Sequence, residues 1–81
     1  MNFKINDLIF NGSNLVCKVT GLAGNQYGLP YELKAKYVCH LSGNIFYHDS
    51  TEFLIVSTDQ VTKITDQKTI DQINKIIIFK N

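Results

Sequence analysis

Tyr31-Glu32-Leu33-Lys34-Ala35-Lys36-Tyr37-Val38-Cys39-His40-Leu41 alternates more cleanly than any other stretch of the chain. Tyr31, Leu33, Ala35, Tyr37, Cys39 and Leu41 fall in one phase; Glu32, Lys34, Lys36, Val38 and His40 fall in the other. Successive side chains of a strand point to opposite faces, so this pattern predicts an antiparallel strand with one buried and one wet side. Upstream, Gly21 to Pro30 holds three glycines and a proline and reads as a long loop. Before it, Leu15, Cys17 and Val19 alternate with Val16, Lys18 and Thr20 in a second strand. Asn11-Gly12-Ser13-Asn14 separates that strand from Leu8-Ile9-Phe10. An Asn-Gly step between apolar stretches is a strong hairpin signal, because both residues tolerate positive φ.

Downstream, Ser42-Gly43-Asn44 predicts a second hairpin. With Gly43-Asn44 as a two-residue turn, Cys39 falls opposite His48, and Tyr47 falls across from His40. Asp49-Ser50-Thr51 breaks the chain again before the strand Phe53 to Val56. Ser57 to Gln60 reads as a single helical turn or tight corner, and Val61 to Thr65 as a short strand. Thr69-Ile70-Asp71-Gln72 then matches a capping box, and Ile70, Ile73 and Ile77 follow at helical spacing. A helix over about 69–77 is expected, with the β-branched run Ile76 to Phe79 either continuing it or leaving it as a closing strand.

At 81 residues the chain has room for one small domain, whose fold buries roughly 60% of the surface exposed by the unfolded chain. Hydrophobic residues make up 44% and charged residues 19%, which suits a packed domain and not a disordered tail. The fold class expected over residues 1–81 is mainly β: a bent sheet or small barrel of five to six short antiparallel strands, with a short C-terminal helix. Met1 to Phe10 carries Lys4 and Asp7 and lacks the pattern of a secretory signal. Ile76 to Phe79, a strictly apolar run equalled in length by Phe53 to Val56, is far short of the ~20 residues of a membrane helix. An intracellular protein with two free thiols is the expectation.

Lys4-Ile5-Asn6-Asp7-Leu8-Ile9 resembles the opening of SH3-like barrels, including the KOW-type and the small bacterial and phage versions. In these the first strand often begins with lysine, an apolar residue, a small residue and aspartate. Ser57-Thr58-Asp59-Gln60 sits where such barrels often place a one-turn helix. The resemblance covers residues 3 to 65 and implies an SH3-like fold. The chain departs from SH3 domains in having no tryptophan, no acidic cluster in the long loop and an added helix, so proline-rich peptide binding is not implied. A fold of this kind supports many unrelated functions.

Two Cys and two His are the number a tetrahedral zinc site needs, but Cys39 and His40 are strand neighbours that point to opposite faces. Cys17 and Cys39 both fall in the apolar phase and read as small buried residues, with no metal and no cofactor. A cysteine–histidine nucleophile would need an exposed thiol in an electropositive setting, which the apolar phase does not provide. No enzyme is expected.

Charge narrows the partners. Eight lysines, no arginine and seven acids leave a formal +1, too balanced for a protein living mainly on phosphate attraction. The uncharged stretch Val19 to Tyr31 is the leading contact surface, with Leu22, Asn25, Gln26, Tyr27, Leu29 and Tyr31 as its residues and another protein as the partner. That reading makes the chain a non-catalytic binding module. Its size and its bias toward asparagine and isoleucine suit an accessory or inhibitor protein of a phage or mobile element. The alternative is a KOW-like nucleic-acid-binding face built from Lys18, Lys34, Lys36, His40 and Tyr47. A homo-oligomer that traps a small ligand between subunits is the third reading.

Overall fold

A computed structural model describes the backbone of residues 3–24, 30–56 and 58–80, and their side chains except those at 30, 31, 58, 79 and 80. Six strands follow in order: β1 (Leu8–Asn11), β2 (Leu15–Gly24), β3 (Pro30–His40), β4 (Ile45–Phe46), β5 (Phe53–Ile55) and β6 (Val61–Lys63). A 3₁₀ turn, Thr58–Gln60, precedes β6, and α1 (Gln67–Lys80) follows it. Every pairing is antiparallel, within one sheet of order β4-β3-β2-β1-β6. β5 joins β3 on the same edge as β4. The sheet is not closed into a barrel.

β2 runs on to Gly24 and β3 begins at Pro30, so both ends of the Gly21 to Pro30 stretch expected to be loop are strand, while residues 25–29 lie outside the described residues. Leu22 pairs with Leu33 and Ala23 with Glu32, because the first half of β3 supplies a ladder partner for each. Composition alone cannot see that partner. Toward the N-terminus, Lys4–Asp7 is a turn and not the start of a strand. Asp7 N–H donates to the Lys4 carbonyl (3.1 Å), and Asn6 takes a φ of 78°. The Asp7 carboxylate accepts from Lys4 N–H (2.8 Å) and sits 3.3 Å from Lys63 Nζ, which ties the turn to β6.

The decisive irregularity lies in β3. Val16 pairs with Cys39, yet Cys17 pairs with Tyr37, so Val38 is an extra residue in a β-bulge. Paired residues share a face, and one inserted residue inverts the phase beyond it. Leu33 and Ala35 therefore lie with Cys17 and Val19 on one face, packed with Phe3, Ile9, Ile55 and Val61. Cys39 lies with Val16 on the other face, under Ile64, Ile73 and Ile76. The single apolar face expected for Tyr31 to Leu41 is thus divided between two.

The second face is covered by α1, which begins at Gln67 and continues through Ile76–Ile78 to Lys80. Its cap is Asp66 and not Thr69. The Asp66 Oδ2 accepts from Thr69 N–H (3.0 Å) and from Thr69 Oγ1 (2.9 Å), which satisfies an amide the helix itself leaves unpaired. Ile73 and Ile76 are buried, with Ile70 and Ile77 half-buried beside them. Burial of this stripe outweighs the small helix penalty of β-branched residues, so the run does not become a strand. With the sheet open, the helix covers a face and plugs no barrel end.

Candidate functional site

Interruption of the β3 edge creates the site. Ala35 pairs with Phe53 of β5, and Cys39 pairs with Phe46 of β4, leaving the bulge between them without a paired strand on this edge, although Tyr37 pairs with Cys17 of β2 on the other. The chain from β4 to β5 fills this gap. Ser50 Oγ donates to the Tyr37 carbonyl (2.8 Å), and Tyr47 N–H donates to the Val38 carbonyl (2.9 Å). Asp49, with φ 53°, turns the chain between these two contacts.

The same crossing assembles a row of rings. Tyr37 stacks on Phe53, with centroids 4.5 Å apart and planes 22° from parallel. Tyr47 lies on the other flank of Tyr37, at 5.7 Å and 49°. Tyr37 is 36% exposed, and it forms a wall of two grooves. One, of about 260 Å³, is lined by Lys18, Lys36, Tyr37, Tyr47, Asp49 and Ser50, among others. The other, of about 420 Å³, is lined by Asn11, Tyr37, Phe53, Leu54, Ile55, Val56 and Gln60. Leu54 and Val56 are 49% and 68% exposed.

Lys18 and Lys36 stand directly opposite each other across β2 and β3, and both are exposed. Like charges at a cross-strand pair repel. The acids nearby are engaged elsewhere: Asp49 Oδ2 lies 3.5 Å from His48 Nε2, and Glu52 Oε2 accepts from Thr20 Oγ1 (2.7 Å). Lys34 extends along the same phase and lays its aliphatic stem over Gly21, where an added Cβ would meet Lys34 Cδ at 3.3 Å.

Of the residues expected on a basic face, the first groove brings together Lys18, Lys36 and Tyr47, and it includes neither Lys34 nor His40. Tyr47 is not across from His40. The turn spans Leu41–Asn44, closed by Asn44 N–H donating to the Leu41 carbonyl (3.3 Å) with Asn44 at φ 51°, so His40 pairs with Ile45. The longer turn moves the register by two residues, which puts Phe46 and not His48 opposite Cys39. His40 Nδ1 instead shares a hydrogen bond of 2.7 Å with Ser42 Oγ. On the uncharged stretch, Leu22 is 44% exposed on β2. Asn25, Gln26, Tyr27 and Leu29 lie outside the described residues, as does the side chain of Tyr31.

Cys17 and Cys39 are buried free thiols on opposite faces of the sheet. Burial pushes the Cys17 thiol up to about 11, with Cys39 adding in the same direction. Burial raises Cys39 as well. Both therefore stay protonated near neutral pH, which leaves neither as a ready nucleophile. Among the described residues no cluster of three His, Cys, Asp or Glu side chains could hold a metal ion. Among them, too, no helix is long and apolar enough to cross a membrane.

Periodicity did not reveal the site. Tyr37 belongs to the apolar phase and reads as core, while Ser50 reads as part of a turn. One signal was present: Tyr37-Val38-Cys39 is three non-charged, bulky residues in succession inside an alternating strand, which is what an inserted bulge residue leaves behind. No protein-family model, curated protein or solved structure matches this chain.

Proposed function

We propose that this protein is a non-catalytic binding module whose partner is another protein, and that the Tyr37 ridge is its main contact. The observation that carries this reading is the exposure of Tyr37, Leu54 and Val56 around one groove, next to the Tyr37–Phe53 stack. Rigid aromatic rings lose little rotamer entropy when a partner covers them, and such residues dominate interface energetics. The uncharged Gly21 to Pro30 stretch is the second contact in this reading, with Leu22 exposed in its described part. The order β5-β3-β2-β1-β6, with a 3₁₀ turn before β6, supports an SH3-like relationship at the level of strand arrangement.

A KOW-like nucleic-acid binder is the second reading, favoured by the meeting of Lys18, Lys36 and Tyr47 in one groove. Capture from an extract of the native host, with and without nuclease treatment, separates the two. A protein retained by the wild type and lost with Tyr37→Ala supports the first reading, provided the variant melts as a folded protein. Capture of nucleic acid that is abolished by Lys34→Glu with Lys36→Glu, and untouched by Tyr37→Ala or Tyr27→Ala, overturns it.

A further inference from the structure

The geometry points to an uncharged, extended segment of the partner protein that adds as a further strand to the open edge of β5, its backbone bonded to Leu54. This rests on the protein-binding reading and specifies how the partner is held. β5 pairs with β3 alone among the described strands, and the sheet does not close over its other edge. Which backbone groups face that edge follows from the register. Val19 N–H donates to the Asp7 carbonyl (2.9 Å), and the Val19 carbonyl accepts from Asn6 N–H (2.8 Å), so Val19 turns its backbone groups away from β3. Direction alternates along a strand, so Lys18 turns toward β3, its partner Lys36 turns back toward β2, and Ala35 and Tyr37 turn toward β5. The Tyr37 carbonyl agrees, since it meets Ser50 on that side. Phe53 therefore turns to Ala35 and Ile55 to Leu33, which leaves the N–H and C=O of Leu54 facing outward.

The groove of about 420 Å³ borders this edge. Phe53 and Ile55 belong to one face of the sheet and Leu54 to the other, so a groove that touches all three lies at the edge and not on a face. Asn11 and Gln60 add two carboxamides to its lining, and no charged side chain lines it among the described residues. An outward N–H and C=O beside two carboxamides suit a peptide backbone, and the lack of charge suits a neutral segment. Edge strands are commonly blunted by lysine or proline, whereas β5 offers Leu54 and leads into Val56, both exposed. In an added strand the residue bonded to Leu54 sets its side chain on the same face, where an aliphatic group removes apolar surface from water. A second copy of this chain fits less well. Two β5 strands paired antiparallel about Leu54 would set the exposed Val56 against the exposed Glu52 of the other copy. A nucleic-acid strand would find no cation in the groove for its phosphates.

An NMR titration of the intact, isotope-labelled protein tests this with four probes: the capped heptapeptide Thr-Val-Thr-Val-Thr-Val-Thr, the same peptide N-methylated at every valine, the same N-methylated at every threonine, and the same with Lys for Val. The parent peptide is expected to slow hydrogen exchange of the Leu54 amide at least tenfold at saturation. Methyl groups on the valine amides, which face Leu54 when a valine side chain lies beside it, should weaken binding at least tenfold. Methyl groups on the threonine amides, which point away, should leave it within threefold. The Lys peptide should bind at least tenfold more weakly than the parent. Leu54→Lys should weaken the parent peptide at least tenfold, while Lys68→Glu, exposed on α1, leaves it unchanged. Melting temperatures confirm that each variant is folded, and Val56→Lys, expected to weaken binding in the same direction, serves if Leu54→Lys does not fold. Equal binding of the two methylated peptides overturns strand addition. Protection of the Leu54 amide that rises with protein concentration, without peptide, gives the edge to a second copy and also overturns it. Failure of the parent peptide to bind overturns the inference, while the protein-binding reading still stands if Tyr37→Ala abolishes capture of a host protein.

Discussion

Tyr37 lies stacked on Phe53 at 4.5 Å, although the residue of β3 that pairs with Phe53 is Ala35 and not Tyr37. The contact is a diagonal one, of the kind long side chains reach across a sheet. It exists because the bulge at Val38 and the Ser50 hydrogen bond hold the end of β3 where its ring overhangs β5. A partly exposed ring held in this way contributes modestly to folding and remains available to a partner.

Tyr37→Ala should therefore destabilise the protein by ~1–3 kcal/mol, the aromatic-pair contribution together with the burial of part of the ring. Tyr37→Phe should stay close to the wild type. Chemical denaturation with a constant m-value checks both. A loss of several kcal/mol would make Tyr37 a core residue and remove the argument for an exposed ridge.

Ser50→Ala removes the donor to the Tyr37 carbonyl and leaves β4 and β5 paired as before. The expected cost is ~1 kcal/mol, the net value of one hydrogen bond. Hydrogen exchange should show faster opening confined to the segment between β4 and β5.

Ile73 has no exposed surface, whereas Ile78 is 73% exposed on the same helix. Ile73→Ala should cost ~2–5 kcal/mol through lost burial and the cavity left behind. Ile78→Ala should change stability by less than about 0.5 kcal/mol. At the start of α1, Asp66→Ala should cost ~1 kcal/mol as loss of the cap. Thr69→Ala should cost less, because Thr69 N–H keeps its bond to Asp66.

The cysteines give a pH dependence. The folded Cys17 is raised from 9.0 to about 11, so between those values the folded state holds a proton that the unfolded state has released. Unfolding free energy must then fall with rising pH across that window, and the contribution is fully present below about 9. Cys17→Ala, though less stable at neutral pH, should show a shallower alkaline decline than the wild type. Denaturation midpoints measured from pH 8 to 11 test this, and identical slopes would refute it.

Local patterning determined a good deal of this protein. Alternation in Leu15–Thr20 and Tyr31–Leu41 marked two long antiparallel strands, Asn11-Gly12 marked the hairpin, and Ile70, Ile73 and Ile77 marked the helix. Gly12 takes its positive φ of 93° in that hairpin. Each of these features depends on residues within a few positions of one another, where side-chain period and backbone preference act directly. Tertiary pairing decided the rest. Val38 became a bulge because β2 offers Cys17 to Tyr37 and Val16 to Cys39, and that moved Cys39 to the helix-covered face. The helix start moved to Asp66, and its β-branched tail stayed helical because the sheet gave it a face to cover. The grooves beside Tyr37 needed Ser50, 13 residues away, to reach the Tyr37 carbonyl. Which distant donor meets which carbonyl depends on the assembled sheet, and no local period records it.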